Sequence, residues 1–293
     1  MTRRPFGWML LALALVAVCV PQPSHAEEKA TDQIRISYLE PRNKAHAPIL
    51  ERLRARRVLE DLRDFLGALK LPKPLFIRTA GCGSQNATYN RDNQTITICY
   101  ELVSWIHALV PADTSQHGIA REDAIVGAFV DILLHEIAHA VIHLFNLPVL
   151  GREEDAADQL AALIMLQFGE DVARRTITGT ALLFQADAAQ RQAARKKWES
   201  AKDAASRLTE FASQHGLPEQ RYFNVLCIAY GRHRKQFADF INRGELPVDR
   251  ARFCKEEYEQ IAHAYHALLE PHVDQARLKE IMSREWLPPS GRK

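Results

Sequence analysis

Net charge is nearly absent from this chain. Its 293 residues carry 38 Lys and Arg against 36 Asp and Glu. Residues 1–26 contain Arg3 and Arg4 and no acid, so the remainder balances at 36 basic (38 − 2) against 36 acidic. A neutral body argues against a nucleic-acid binder that works by charge. Long hydrophobic runs are missing too. The apolar stretch Trp8 to Val20 has 13 residues, short of the roughly 20 that span a bilayer. There is no internal repeat, no Gly/Ser linker and no C-x-x-C pair. These absences exclude repeat arrays, loosely tethered modules and the common cysteine zinc frameworks. With 47% hydrophobic and 25% charged residues, disorder, collagen and coiled-coil rods are excluded as the main body.

The first segment reads as an export signal. Arg3-Arg4 is a basic head, Trp8 to Val20 an apolar core, and Pro21 and Pro23 break the run. Ser24-His25-Ala26 places small residues three and one before a cut, so the mature chain is expected to start near Glu27, in the periplasm or outside the cell. No stable membrane span is expected after that cut. Val18 before Cys19 does not suit a lipoprotein. Export leaves four cysteines, Cys82, Cys99, Cys227 and Cys254. An even count in an oxidising compartment suggests two disulfides. Cys82 and Cys99 flank one hairpin and Cys227 and Cys254 share one helical region, so local pairing is expected, with a cysteine zinc site as the alternative.

Along the chain, Ile34, Ile36 and Tyr38 alternate with polar residues as in a strand. Leu50, Leu53, Leu62, Phe65, Leu66 and Leu69 step by helical intervals, predicting one amphipathic helix over residues 48–70 that ends before Pro72 and Pro74. Leu75-Phe76-Ile77 reads as a strand, and residues 86–90 and 95–100 as two more around the polar turn Asn90 to Asn93. From Glu101 the pattern is helical, with breaks at Pro111, Pro148–Gly151, Gly216–Pro218, Gly244–Pro247 and Pro271. Residues 190–210, rich in Ala, Arg, Lys and Gln, read as a solvated helix face. The expected fold class is α+β: a small mixed β-sheet with a helix, then a mainly helical C-terminal half. The expected domains are a signal peptide over 1–26 and one domain over 27–293, whose sheet and site part covers 27–170 and whose helical part covers 171–293.

The chemistry concentrates at His135-Glu136-Ile137-Ala138-His139, an H-E-x-x-H pattern. On a helix, His135 and His139 project from one face, one turn apart, and two neutral imidazoles there can bind one Zn²⁺ at about 2.0–2.1 Å each. Glu136 is then angled toward a metal-bound water. The composition of this chain yields roughly 0.03 such matches by chance, so the motif needs support. The simpler reading is two helix histidines that only hydrogen-bond. A catalytic zinc takes a third protein ligand. After Pro148–Gly151, Glu153-Glu154-Asp155-Ala156-Ala157-Asp158 opens a second helix. Glu154 is the expected third ligand. Asp158, one turn on, is positioned to accept the free ring N–H of a ligating histidine. Alone, this cluster would read as charge complementing a helix N-terminus. Glu153 lies about 100° from Glu154 round the helix, so only one of the two is expected to face the histidine pair.

The H-E-x-x-H followed by a helix with E-x-x-A-D resembles the glutamate-type zincins, including the membrane prenyl-protein and heat-shock zincins. More closely, the chain is similar to a bacterial family of exported proteins, once only a domain of unknown function, whose metallopeptidase activity is inferred. The matching stretches are Cys82-Gly83, Asn86-Ala87 and Tyr89, and Ile98 to Glu101. They continue with His135 to His139, Gly151 to Asp158, Gln220 to Asn224 with Cys227, and Cys254 with Glu257-Tyr258. The resemblance implies a zincin-like fold, with His135, His139 and Glu154 as ligands and Asp158 behind them. It also implies that an edge strand ahead of the site helix pairs with an extended substrate, here Asn86, Ala87, Thr88 and Tyr89. A plain disulfide-closed hairpin is the alternative for that segment.

Other residues carry weaker signals. His143 continues the histidine spacing and is expected to pack or hydrogen-bond rather than ligate. His215, Tyr222 and Arg221 lie where the helical half can fold over the site, and His215 or Tyr222 is a candidate oxyanion donor. Together these readings point to an exported zinc-dependent peptidase acting on a peptide or protein substrate, with Glu136 as general base. The alternative is a zinc-stabilised binding module that keeps the site without turnover. Intact-mass analysis of protein from an exporting host should show a start near Glu27. Full-length chain retained in the membrane fraction would refute export by this signal.

Overall fold

The computed structural model describes residues 33–198 and 209–290. The signal segment, with Ser24-His25-Ala26, lies outside the described residues. The protein is α+β. Its sheet has four strands, β1 (Ile34–Tyr38), β2 (Leu75–Ala80), β3 (Ala87–Asn90) and β4 (Thr95–Cys99), in the order β1-β2-β4-β3. β1 runs parallel to β2 and β2 to β4, while β3 is antiparallel to β4 and forms an edge. Alternation decides which face is covered: Leu75 and Ile77 on β2 and Ile96 and Ile98 on β4 are buried, as a half-covered sheet requires.

Between β1 and β2 the single helix expected over 48–70 is two: α1 (Ala47–Ala55) and α2 (Val58–Leu66). Arg57 breaks the run with φ of 52°. The break turns the second apolar stripe, so that Leu50 and Leu53 on one piece and Val58, Leu59, Leu62, Phe65 and Leu66 on the other are all buried. A straight helix could not present both sets to one core.

The helical part follows, with α3 (Tyr100–Leu109), α4 (Arg121–Leu144), α5 (Glu153–Met165), α6 (Glu170–Trp198), α7 (Pro218–Arg232), α8 (Ala238–Asn242), α9 (Val248–Ala251), α10 (Cys254–Leu268) and α11 (Gln275–Met282). α4 is the central element. By length and composition it would suit a membrane, but most of that stretch is buried inside the protein, as expected of a core helix. Leu133, Leu134 and Ile137 are fully buried, each contributing about 1.5–3 kcal/mol. Glu122 and Asp123 sit in its first turn and His143 in its last, matching the helix dipole.

Two disulfides are present among the described residues, Cys82–Cys99 and Cys227–Cys254. The first closes the base of the β3–β4 hairpin. The second joins α7 to the start of α10.

α4 and α6 cross through glycine. A Cβ on Gly179 of α6 would fall 2.4 Å from the Ala124 carbonyl oxygen, and one on Gly127 of α4 would fall 2.8 Å from Thr176 Cα. Both obstacles are backbone, so only separation of the helices relieves them. Gly179→Ala should therefore cost about 1–3 kcal/mol in urea unfolding. An unchanged midpoint would show that the helices do not approach this closely.

Candidate metal centre

His135 and His139 lie one turn apart on α4, and α5 returns beside them. The chain leaves α4 at Leu144 and turns at Gly151, whose φ of 106° belongs to glycine. It enters α5 with Glu153, Glu154 and Asp155 in the first turn. This brings the Glu154 carboxylate across from the two rings. His135 Nε2 is 3.0 Å from Glu154 Oε2, His139 Nε2 is 3.4 Å from the same oxygen, and the two Nε2 atoms are 3.2 Å apart.

The outer nitrogens are held by carboxylates. His135 Nδ1 lies 2.7 Å from Asp158 Oδ1 and His139 Nδ1 lies 2.7 Å from Glu153 Oε1. Each Nδ1 donates, so the Nε2 lone pairs turn toward Glu154. Three electron-rich atoms then share a triangle with edges of 3.0, 3.2 and 3.4 Å. A tetrahedral ion with ligands at about 2.0–2.1 Å has donor–donor edges of about 3.3–3.4 Å. The donor set and its spacing fit such an ion, which would also remove the repulsion among the lone pairs.

Arginines close both outer links. Arg221 of α7 grips Asp158 through Nε and Nη2, each at 2.7 Å, and lies over the Phe184 ring. Arg91 of the β3–β4 turn reaches both Glu153 oxygens at 2.8 Å. The electrostatics follow. Burial opposes charge on His135, but the Asp158 and Glu154 carboxylates outweigh it and push its pKa up to about 9. The His135 hydrogen bond draws Glu154 down to about 2. Burial alone would raise Asp158; Arg221 and His135 hold it well below the usual carboxylate range. Glu136 is buried, and that burial raises its pKa.

His135, Glu136, His139, Glu153 and Glu154 share one cavity of about 960 Å³ with the open edge of β3. Cys99 N–H donates to the Asn86 carbonyl, so by antiparallel alternation Asn86, Thr88 and Asn90 turn their backbone groups to β4. Ala87 and Tyr89 turn theirs to the open side. The Tyr89 backbone opposes the rise that burial gives the Glu136 carboxylate, so Glu136 lies at that edge.

Most residues singled out by sequence meet here. His135, Glu136, His139, Glu154, Asn86, Ala87, Thr88, Tyr89 and His215 all line the cavity, and Asp158 stands behind His135. His215 Nε2 is 2.9 Å from Glu154 Oε2, and its ring stacks on His135. The trio His135, Glu154 and His215 could also gather an ion. His139 is the better third member, because its outer nitrogen is fixed by Glu153, whereas His215 is half exposed. Tyr222 does not join the site. It is buried outside the cavity lining, near Glu245 and Arg243. His143 hydrogen-bonds Tyr89 Oη at 2.9 Å. The cluster Cys82, Cys99 and Glu101 offers no thiolate, since its sulfurs are joined.

Two participants were not foreseen. Glu153, expected to point away, reaches the far nitrogen of His139. The 100° between Glu153 and Glu154 lets the adjacent carboxylates bracket the histidine pair from opposite sides. Asp131, one turn before His135, is fully buried, and its Oδ2 has no partner among the described residues. Its place on the His135 stripe was visible in the sequence.

Two imidazoles and a carboxylate converge beside a buried glutamate, a group that could hold a metal ion. The family described as "Putative metallopeptidase" matches residues 38–269, and the chain belongs to that family. No curated protein and no solved structure matches.

Burial, then the charge on Asp158, raises Asp131 from 3.8 to about 7. The folded protein therefore keeps a proton that the unfolded chain loses, and stability falls as pH rises between those values. Asp131→Asn removes that loss. Its stability advantage over the parent should grow from pH 4 to pH 8, reaching about 2–4 kcal/mol in urea unfolding with chelator. An advantage equal at both pH values would show that Asp131 ionises normally.

Proposed function

We propose that this protein is an exported, zinc-dependent peptidase of the glutamate type. The observation that carries the reading is the 3.0–3.4 Å triangle of His135 Nε2, His139 Nε2 and Glu154 Oε2, with Glu136 beside it. Zinc held by these three would supply Lewis acidity, ionising water near neutral pH and polarising a peptide carbonyl. The chain's residues perform the rest. An extended peptide pairs with β3 through the backbone groups of Ala87, gaining main-chain hydrogen bonds with weak sequence preference. Glu136, its pKa raised by burial, takes the proton of the attacking water and delivers it to the leaving amine. His215, beside Glu154 and His135, would donate to the developing oxyanion. Burial of its ring lowers its pKa, so it donates as a neutral group. Asp158 and Glu153 hold the ligand rings in orientation.

The two disulfides suit an oxidising compartment and so support export. A non-catalytic zinc module would share the ligands but would not need Glu136. Glu136→Gln should lower peptide-library cleavage at least about 100-fold, while zinc content by mass spectrometry persists. Full activity in that variant would refute the mechanism. No cleavage by the zinc-loaded parent would favour the binding module.

A further inference from the structure

The hairpin that would align a peptide meets the metal helix at three points. The Tyr89 backbone faces Glu136. Arg91 grips Glu153, which accepts from His139 Nδ1. Tyr89 Oη meets His143 Nδ1. Residues 136, 139 and 143 recur at three- and four-residue steps, so they form one stripe of α4. The middle contact differs from the others because it ends on a metal ligand.

The turn holding Arg91 is stiff. Asn90 Oδ1 accepts from the N–H groups of Asp92 and Asn93. Gln94 Nε2 donates to the carbonyls of Arg91 and Asp92. The base of the same hairpin is closed by Cys82–Cys99. Arg91 is therefore presented from a fixed backbone, and it engages both oxygens of the carboxylate that orients His139.

We propose that Arg91 is a positioning residue that acts on His139 through Glu153, so that the substrate hairpin sets the orientation of a metal ligand. This rests on the reading of His135, His139 and Glu154 as the metal site. The two ligand histidines are then oriented from different places. Asp158, behind His135, is gripped by Arg221, which is largely buried in the helical half. Glu153, behind His139, is gripped by Arg91, which is more than half exposed on the hairpin. A carboxylate held at both oxygens cannot rotate out of line with Nδ1, so the ring keeps its tautomer and aim. Without Arg91, Glu153 at the exposed start of α5 exchanges its contacts with water. His139 is thus the ligand whose placement responds to the hairpin.

The test is titration of the full mature chain with Co²⁺ and Zn²⁺, comparing the parent with Glu153→Gln, Arg91→Ala and Arg91→Lys. Glu153→Gln should weaken Co²⁺ binding about 10- to 100-fold and shift the visible Co²⁺ absorption. Arg91→Ala should weaken it up to about fivefold at low salt and shift the band in the same direction. That gap should close at about 1 M NaCl, and Arg91→Lys should lie between Arg91→Ala and the parent. Metal-free urea midpoints of the Arg91 variants should match the parent, because a merely structural role would move them and leave the cobalt band in place. If Arg91→Ala and Glu153→Gln both keep the parent's affinity and spectrum, the proposal fails while the metal site stands. If only Glu153→Gln shows the effect, Arg91 has no positioning role and the proposal also fails. A parent chain that binds neither ion removes the metal reading itself.

Discussion

Three lone pairs directed into a space about 3 Å across repel one another, and much of the surrounding structure holds them there. Each imidazole donates outward to a carboxylate, which leaves its inner nitrogen as an acceptor. Each of those carboxylates is gripped in turn by an arginine from a different element. The result is two relays, Arg221–Asp158–His135 and Arg91–Glu153–His139, meeting at Glu154. Both relays begin with a fixed positive charge on the outside and end with electron density on the inside. A cation would complement that polarity. The rise of His135 to about 9 expresses the same demand, since a proton is the smallest cation that can answer it.

The backbone supports this in a specific order. α4 must sit deep enough to exclude water from Glu136, yet close enough to β3 for the Tyr89 backbone to face it. Glycine at the α4–α6 crossing allows the first condition, because Gly127 and Gly179 let two helix backbones approach where any side chain would hold them apart. The parallel β1-β2-β4 core supplies the second. Buried Ile96 and Ile98 seat β4 against the interior, and β3 hangs from β4 at a fixed register. A shift of one residue along that ladder would exchange Ala87 and Tyr89 for Thr88 and Asn90 at the open side. It would also move the Tyr89 backbone away from Glu136.

Much of this was legible in the sequence, and what escaped has physical reasons. The α+β class, the hairpin, the chain breaks at Pro111 and Pro148–Gly151 and the pairing of the four cysteines follow from periodicity and local spacing. His135, Glu136, His139 and Glu154 converge as helical geometry requires. The break at Arg57 was missed because a periodic stripe does not reveal a change of helix direction when both halves remain apolar. Glu153 departs from expectation because Asp158 can serve the outer nitrogen of only one histidine, and the other ring needs an acceptor of its own. Tyr222 was placed near the site by its neighbours in sequence, but α7 turns Arg221 inward and Tyr222 toward Arg243 and Glu245, one residue step being about 100°. Such choices of helix face in the C-terminal half depend on packing partners far away in sequence.

An open strand edge is both a resource and a hazard. Unpaired backbone groups on β3 are what an extended peptide would need, and they would serve equally for pairing with another copy of the chain. The structure limits the hazard without closing the edge. β3 is only four residues long, Ala87–Asn90. One of its outward amides, that of Tyr89, faces Glu136. Its base is clipped by Cys82–Cys99, with Glu101 accepting from the N–H groups of Cys82 and Gly83, and its far end is held through Arg91. What remains open is chiefly the backbone of Ala87, recessed in a cavity walled by α4, α6 and the start of α7. A single extended segment can enter such a slot, whereas a second folded sheet cannot bring its own edge so deep. On the proposed function, the small side chain at Ala87 and the fastening of both hairpin ends would serve one requirement: an edge that accepts a peptide while refusing a sheet.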